Sequence, residues 1–97
     1  MSGEGRFDMS EIVKRACAGT MESSDVYVEL EPGTAGIEID LDSVVAGQFG
    51  ASIRRSVEEV LGEQGVKCAR VRLVDRGALD CVIRARVETA VLRAKGE

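Results

Sequence analysis

The chain has no histidine and no tryptophan, and among its 97 residues proline occurs once. Each absence removes a class of function. Without histidine there is no imidazole general base and no Ser-His or Cys-His nucleophile pair. A zinc site would need thiolates and carboxylates, and Cys17, Cys68 and Cys81 are widely spaced with no C-x-x-C pair. Two Phe and one Tyr give no stacking platform, and a net charge of -4 with both signs interspersed gives no basic track for nucleic acid. Arg54-Arg55 and Arg84–Arg86 read as solvated helix faces. No apolar run approaches the roughly 18 residues that cross a bilayer, and Met1–Ser10 has no signal-peptide core. Three free thiols without a disulfide fit a reducing compartment. The expectation is a cytoplasmic protein that contacts neither nucleic acid nor membrane and is not an enzyme by itself.

What is present is enough for one domain. Residues 1–10 are polar and Gly-rich and read as a flexible N-terminal tail, leaving 11–97 as the folded unit. A unit of this size can bury one apolar layer between a sheet and two helices, without a deep pocket. Ile12–Met21 is open between a helical turn and a short strand, and Glu22–Asp25 is a turn of small polar residues. Val26–Leu30 is β-branched and aromatic; Ile37, Ile39 and Leu41 alternate with Glu38 and Asp40. With Glu31-Pro32-Gly33-Thr34 between them as a turn, these two segments read as a hairpin.

Asp42-Ser43 then reads as the start of a helix whose stripe is Val45, Phe49, Ile53, Val57, Val60 and Leu61, ended by Gly62 or Gly65. Val66–Val74 alternates again, Asp75-Arg76-Gly77 turns, and a second helix runs from Ala78 to about Ala94 on Leu79, Val82, Ile83, Val87, Ala90 and Val91. The order (β)ββαβα predicts an α+β two-layer sandwich: a small, mostly antiparallel sheet with both helices on one face.

With catalysis by this chain alone disfavoured, exposed hydroxyls become the candidates for chemistry. Ser43, in Asp42-Ser43-Val44-Val45, sits where helical acyl carriers place a modified Ser in an Asp-Ser-Leu motif. Here strands flank the helix on both sides, so Ser43 is expected to be an N-cap. Ser23 sits in a turn ahead of a strand, where a covalent arm can stand in water above a packed sheet. Taken alone, a Ser there is a turn former. Cys81, beside Val82 and Ile83, is expected to pack as a small buried residue.

Three blocks carry a family resemblance: Ala18-Gly19-Thr20-Met21-Glu22-Ser23-x-Asp25-Val26, Phe49-Gly50-Ala51-Ser52-Ile53-Arg54, and Asp75-Arg76-Gly77-Ala78-Leu79-Asp80-Cys81-Val82-Ile83-Arg84-Ala85-Arg86-Val87-Glu88. In this order they resemble the acyl carrier (gamma) subunits of citrate lyase. The resemblance implies that Ser23 carries a 2'-(5''-phosphoribosyl)-3'-dephospho-CoA arm in phosphodiester linkage, attached by a dedicated prosthetic-group transferase. It further implies acetyl and citryl thioesters on the arm, an acetate ligase that loads it, and transferase (alpha) and lyase (beta) subunits that convert citrate to oxaloacetate and acetate. Ser24 stands where the family often has Gly and sets a second hydroxyl beside the first. The carrier subunit of malonate decarboxylase, with the same type of arm, is the nearest rival; an interaction module without a cofactor is the other. Asp75, Arg76 and Asp80 are expected to close loops or meet partners.

Overall fold

Alternating residues in the strands and three- and four-residue spacing in the helices each present one apolar side, and the fold stacks those sides. The computed structural model describes residues 12–34, 36–44 and 46–96, with the tail expected at 1–10 and the stripe position Val45 outside that set. The elements are β1 (Ala16–Gly19), β2 (Val26–Pro32), β3 (Ile37–Ser43), α1 (Ala46–Glu63), β4 (Ala69–Asp75) and α2 (Asp80–Ala94). Within Ile12–Met21, Ala16–Gly19 thus resolves as a strand, and no helix forms there. Val26, Val28 and Leu30 of β2 and Ala69, Val71 and Leu73 of β4 are buried in one cluster with Ile53, Val57, Val60 and Leu61 of α1 and Ile83, Val87, Ala90, Val91 and Ala94 of α2. Glu38, Asp40, Arg70 and Arg72 point to the opposite, exposed side. Both helices therefore cover one face of the sheet, as expected for a two-layer α+β domain.

The strand order is β1-β2-β4-β3, so the expected hairpin between β2 and β3 does not form. β4 lies between them, antiparallel to β2 and parallel to β3. The sheet is consequently mixed, two antiparallel pairings and one parallel, the parallel one allowed by the α1 crossover. Charge explains the insertion. On the outer face Arg70 stands in register between Glu31 and Glu38, and Arg72 between Glu29 and Asp40. Direct pairing of β2 with β3 would set carboxylates against carboxylates, which is unfavourable across strands.

Asp42 and Ser43 finish β3 instead of opening α1, which begins at Ala46. At its other end α1 closes as a Schellman motif. Val66 N–H donates to Leu61 O at 2.9 Å, Gly65 N–H to Gly62 O at 3.1 Å, and Gly65 takes φ 77°. Two stripe positions are corrected: Phe49 is 50% exposed and Leu79 is 71% exposed, and Val82 is only half-buried. The reason lies in the sheet beneath them. Its last core-facing rung is Ser43 beside Asp75, not an apolar pair, so the starts of both helices overhang the core. Cys81, one residue into α2, is likewise exposed rather than buried, and all three thiols are free.

Leu73, fully buried at the centre of the sheet, should cost about 2–5 kcal/mol when replaced by Ala. Glu38→Ala, which removes an exposed ion pair 3.6 Å from Arg70, should cost no more than about 1 kcal/mol. Urea midpoints that fall equally for the two variants would contradict the assignment of faces.

Candidate functional site

One end of the sheet gathers the residues of interest. β1, β3 and β4 end there and β2 begins there, so the 20–25 turn, the residues after Ser43 and the 76–79 loop all meet at that edge. Ser23 and Ser24 are both exposed in the turn. Asp25 N–H donates to Glu22 O at 3.1 Å, and Ser24 has φ 67°. A four-residue turn with that bond and positive φ at its third residue only is type II, with Ser23 at the second corner and Ser24 where Gly or Asn is preferred. The Ser23 hydroxyl has no hydrogen-bond partner among the described residues.

The turn is held from three sides. Asp25 supplies the first hold with its carboxylate. Thr20 donates to Oδ2 through its hydroxyl at 2.7 Å and its N–H at 3.2 Å, and Val26 N–H donates to Oδ1 at 2.7 Å. Arg86 of α2 adds Nε to Oδ1 at 3.1 Å and Nη2 to Oδ2 at 3.2 Å. The Thr20 hydroxyl, then the Val26 N–H and the Arg86 guanidinium, lower the Asp25 pKa to about 2. Gly19 supplies the second hold: φ is 89°, and a Cβ there would lie 1.9 Å from Val26 O, so no other residue fits.

The third hold comes from the 76–79 loop. Ser24 N–H donates to Arg76 O at 2.8 Å, and Arg76 N–H donates to Asp25 O at 2.9 Å. Two residues thus face one, with the first in the left-handed region: the pattern of a G1 bulge. Arg76 is positioned by Asp75, a fully buried carboxylate whose Oδ1 accepts from Gly77 and Ala78 N–H at 3.2 and 2.9 Å. Its Oδ2 accepts from the Ser43 hydroxyl at 2.7 Å. Ser43, the last residue of β3, therefore anchors Asp75 inside the sheet end. Asp80 accepts from the buried hydroxyl of Ser56, which with Arg84 lowers its pKa, and so ties the start of α2 to α1.

Sequence reasoning named Ser23, Ser24 and Asp75 but gave Asp25 no task and read Arg86 as a solvated residue. Their pairing spans 61 positions and has no local signal. Chemically, the site offers an exposed hydroxyl on a fixed corner, hydrogen-bonded to no base among the described residues. A depression of about 290 Å³ lies elsewhere, on the outer sheet face between Glu31, Glu38, Arg70 and Arg72. Among the described residues no cluster of His, Cys, Asp or Glu could hold a metal ion, and no helix is long and apolar enough to cross a membrane.

Comparison with known proteins converges on one family. Residues 13–94 match the acyl carrier family model described as malonate decarboxylase delta subunit (MdcD). The citrate lyase acyl carrier protein of Leuconostoc mesenteroides subsp. cremoris is 54% identical over 84 residues, covering 87% of each chain. That of Klebsiella pneumoniae is 54% identical over 80 residues, covering 81% of this chain and 82% of its own. Among solved structures, a chain in the crystal structure of a Pseudomonas malonate decarboxylase hetero-tetramer in complex with malonate superposes with TM-score 0.75 at 26% identity, covering 87% of each chain.

Two outcomes test the geometry of the turn. Ser24→Gly should raise stability by about 1 kcal/mol, because a side chain with positive φ is strained; a loss would contradict the type II assignment. Asp25 has a folded pKa below its ordinary 3.8, so the stability it contributes is complete above pH 4 and is lost as pH falls toward 2. Asp25→Asn should therefore flatten the stability profile between those limits, and an unchanged slope there would refute the role of the carboxylate.

Proposed function

The chain belongs to the acyl carrier family of the malonate decarboxylase delta subunit, and from that membership we propose that it is the acyl carrier subunit of a citrate lyase. The observation that carries the reading is the Ser23 corner: an exposed, unpartnered hydroxyl on a turn fixed by Asp25, Gly19 and Arg76. Identity favours citrate lyase over malonate decarboxylase, at 54% against 26% over similar coverage.

Ser23 holds a prosthetic group through its Oγ, and that group is 2'-(5''-phosphoribosyl)-3'-dephospho-CoA. The residues present fit such an attachment. The hydroxyl is free to be modified, and no packing or hydrogen bond of the fold is lost when it is. When bound, the group supplies a terminal thiol that takes an acyl unit in activated form. This chain's own part is mechanical. Asp25 and Arg86 keep the corner from folding away, and the sheet under it stays packed. A tether makes each transfer between partner subunits effectively intramolecular, which raises the local concentration of the acyl unit into the millimolar range or above. Activation of the hydroxyl falls to a separate prosthetic-group transferase. The transferase (alpha) and lyase (beta) subunits supply the citrate chemistry, an acetate ligase charges the arm, and the assembly works in the cytoplasm.

Reconstitution tests this reading. Loaded wild-type carrier, added to carrier-free alpha and beta subunits, should restore cleavage of citrate to oxaloacetate. Ser23→Ala, folded to the wild-type melting point, should restore none. Activity in a malonate decarboxylase lacking its carrier, with none in citrate lyase, would transfer the chain to that enzyme.

A further inference from the structure

The arginine beside the Ser23 corner holds the turn through its backbone alone, and its side chain has no task among the described residues. Arg76 is exposed, and its side chain has no partner among the described residues. Most other arginines do. Arg86 is held by Asp25, Arg84 by Asp80 and Glu59, Arg15 by Glu29, and Arg70 by Glu38. Arg54 donates to Ile39 O and Arg93 to Cys17 O. Arg76 is nevertheless among the most firmly placed of them at its backbone. Its N–H and C=O both bond the 24–25 pair, and the buried Asp75 next to it fixes the loop. Two strand-like hydrogen bonds hold residues about 5.5 Å apart at Cα. An arginine side chain rooted at that position is long enough to reach the Ser23 corner.

We propose that Arg76 is a phosphate-positioning residue: its guanidinium pairs with the phosphodiester formed at Ser23 Oγ and holds the base of the arm upright. The inference rests on Ser23 being the attachment residue. The chemistry fits the partner. A guanidinium is always charged, meets phosphate oxygens through two parallel N–H donors, and is weakly hydrated enough to keep such a contact at a surface. The carboxylates of Glu22 and Asp25 flank the same turn, and Asp25 is already neutralised by Arg86. A phosphodiester added between them gains from a cation that offsets the repulsion from Glu22, and Arg76 is rooted in the loop bonded to that turn.

The test uses the loaded carrier and reads the phosphorus directly. In wild-type protein the 31P resonance of the Ser23 diester should shift between about 0.05 M and about 1 M NaCl, as screening breaks the pair. The Nε–H signal of Arg76 should move on loading. In Arg76→Ala the diester resonance should lie at the high-salt position and lose its salt dependence, with Arg76→Lys between the two. Loading by the prosthetic-group transferase should show a KM raised about three-fold in Arg76→Ala, the size of an exposed charge contact. The melting point of Arg76→Ala should match wild type, because only backbone atoms of Arg76 bond the turn. A diester on Ser23 whose 31P signal is the same in wild type and Arg76→Ala overturns the role of Arg76 and leaves the function standing. No diester on Ser23 at all overturns the functional reading, and this inference with it.

Discussion

Asp25 joins the two layers of the domain at the point where the chain would otherwise be loosest. Its carboxylate receives donors from Thr20 in the turn, Val26 at the head of β2 and Arg86 on α2, and 14% of the side chain remains exposed. Each contact does a different job. Thr20 shapes the loop, Val26 starts the strand in register, and Arg86 locks the strand end to the helix above it. A carboxylate with that many donors is held charged by its surroundings, its pKa lowered to about 2, so the link is intact at neutral pH. The Ser23 corner inherits its position from this link without contributing to it.

That division suits a carrier. A modified residue whose side chain also held the fold would lose a stabilising contact whenever it was modified. Here the structural hydroxyls are others: Thr20 on Asp25, Ser43 on Asp75 and Ser56 on Asp80. Each is engaged by a carboxylate, and Asp75 and Ser56 are buried. Among the described residues, the hydroxyls of this end that the fold does not use are those of Ser23 and Ser24. Ser23 is separated from Ser24 by the backbone, which at Ser24 is committed to the positive φ and to the bond with Arg76.

The sequence carried the layers but not the order of the strands. Alternation in β3 and β4 and the spacing of Ile53, Val57, Ile83 and Val87 make the apolar faces readable, because burial there is a local periodic property. Pairing is not local. The alternation of Ile37, Ile39 and Leu41 is compatible with any neighbour of the same period, and the choice of β4 follows from arginines some thirty residues further on. Asp42-Ser43 reads as a helix start because it precedes a helical stripe, yet β3 runs two residues further than its last apolar side chain. Phe49 and Leu79 kept the helical spacing while lying over a polar rung, so periodicity overcounted the core at that end. For the candidate site, Ser23 was legible only through its motif, and Asp25 and Arg86 acquire their tasks from a contact that joins distant segments.

The most direct test of the account is where a covalent group sits on the protein made in its own cell. Intact mass followed by fragmentation of the peptide spanning Ser23 and Ser24 reads this without any assay of activity. The account predicts one phosphodiester-linked nucleotide group per chain, on Ser23. The same group on Ser43, or a wholly unmodified chain from cells that make the attachment enzyme, would contradict it.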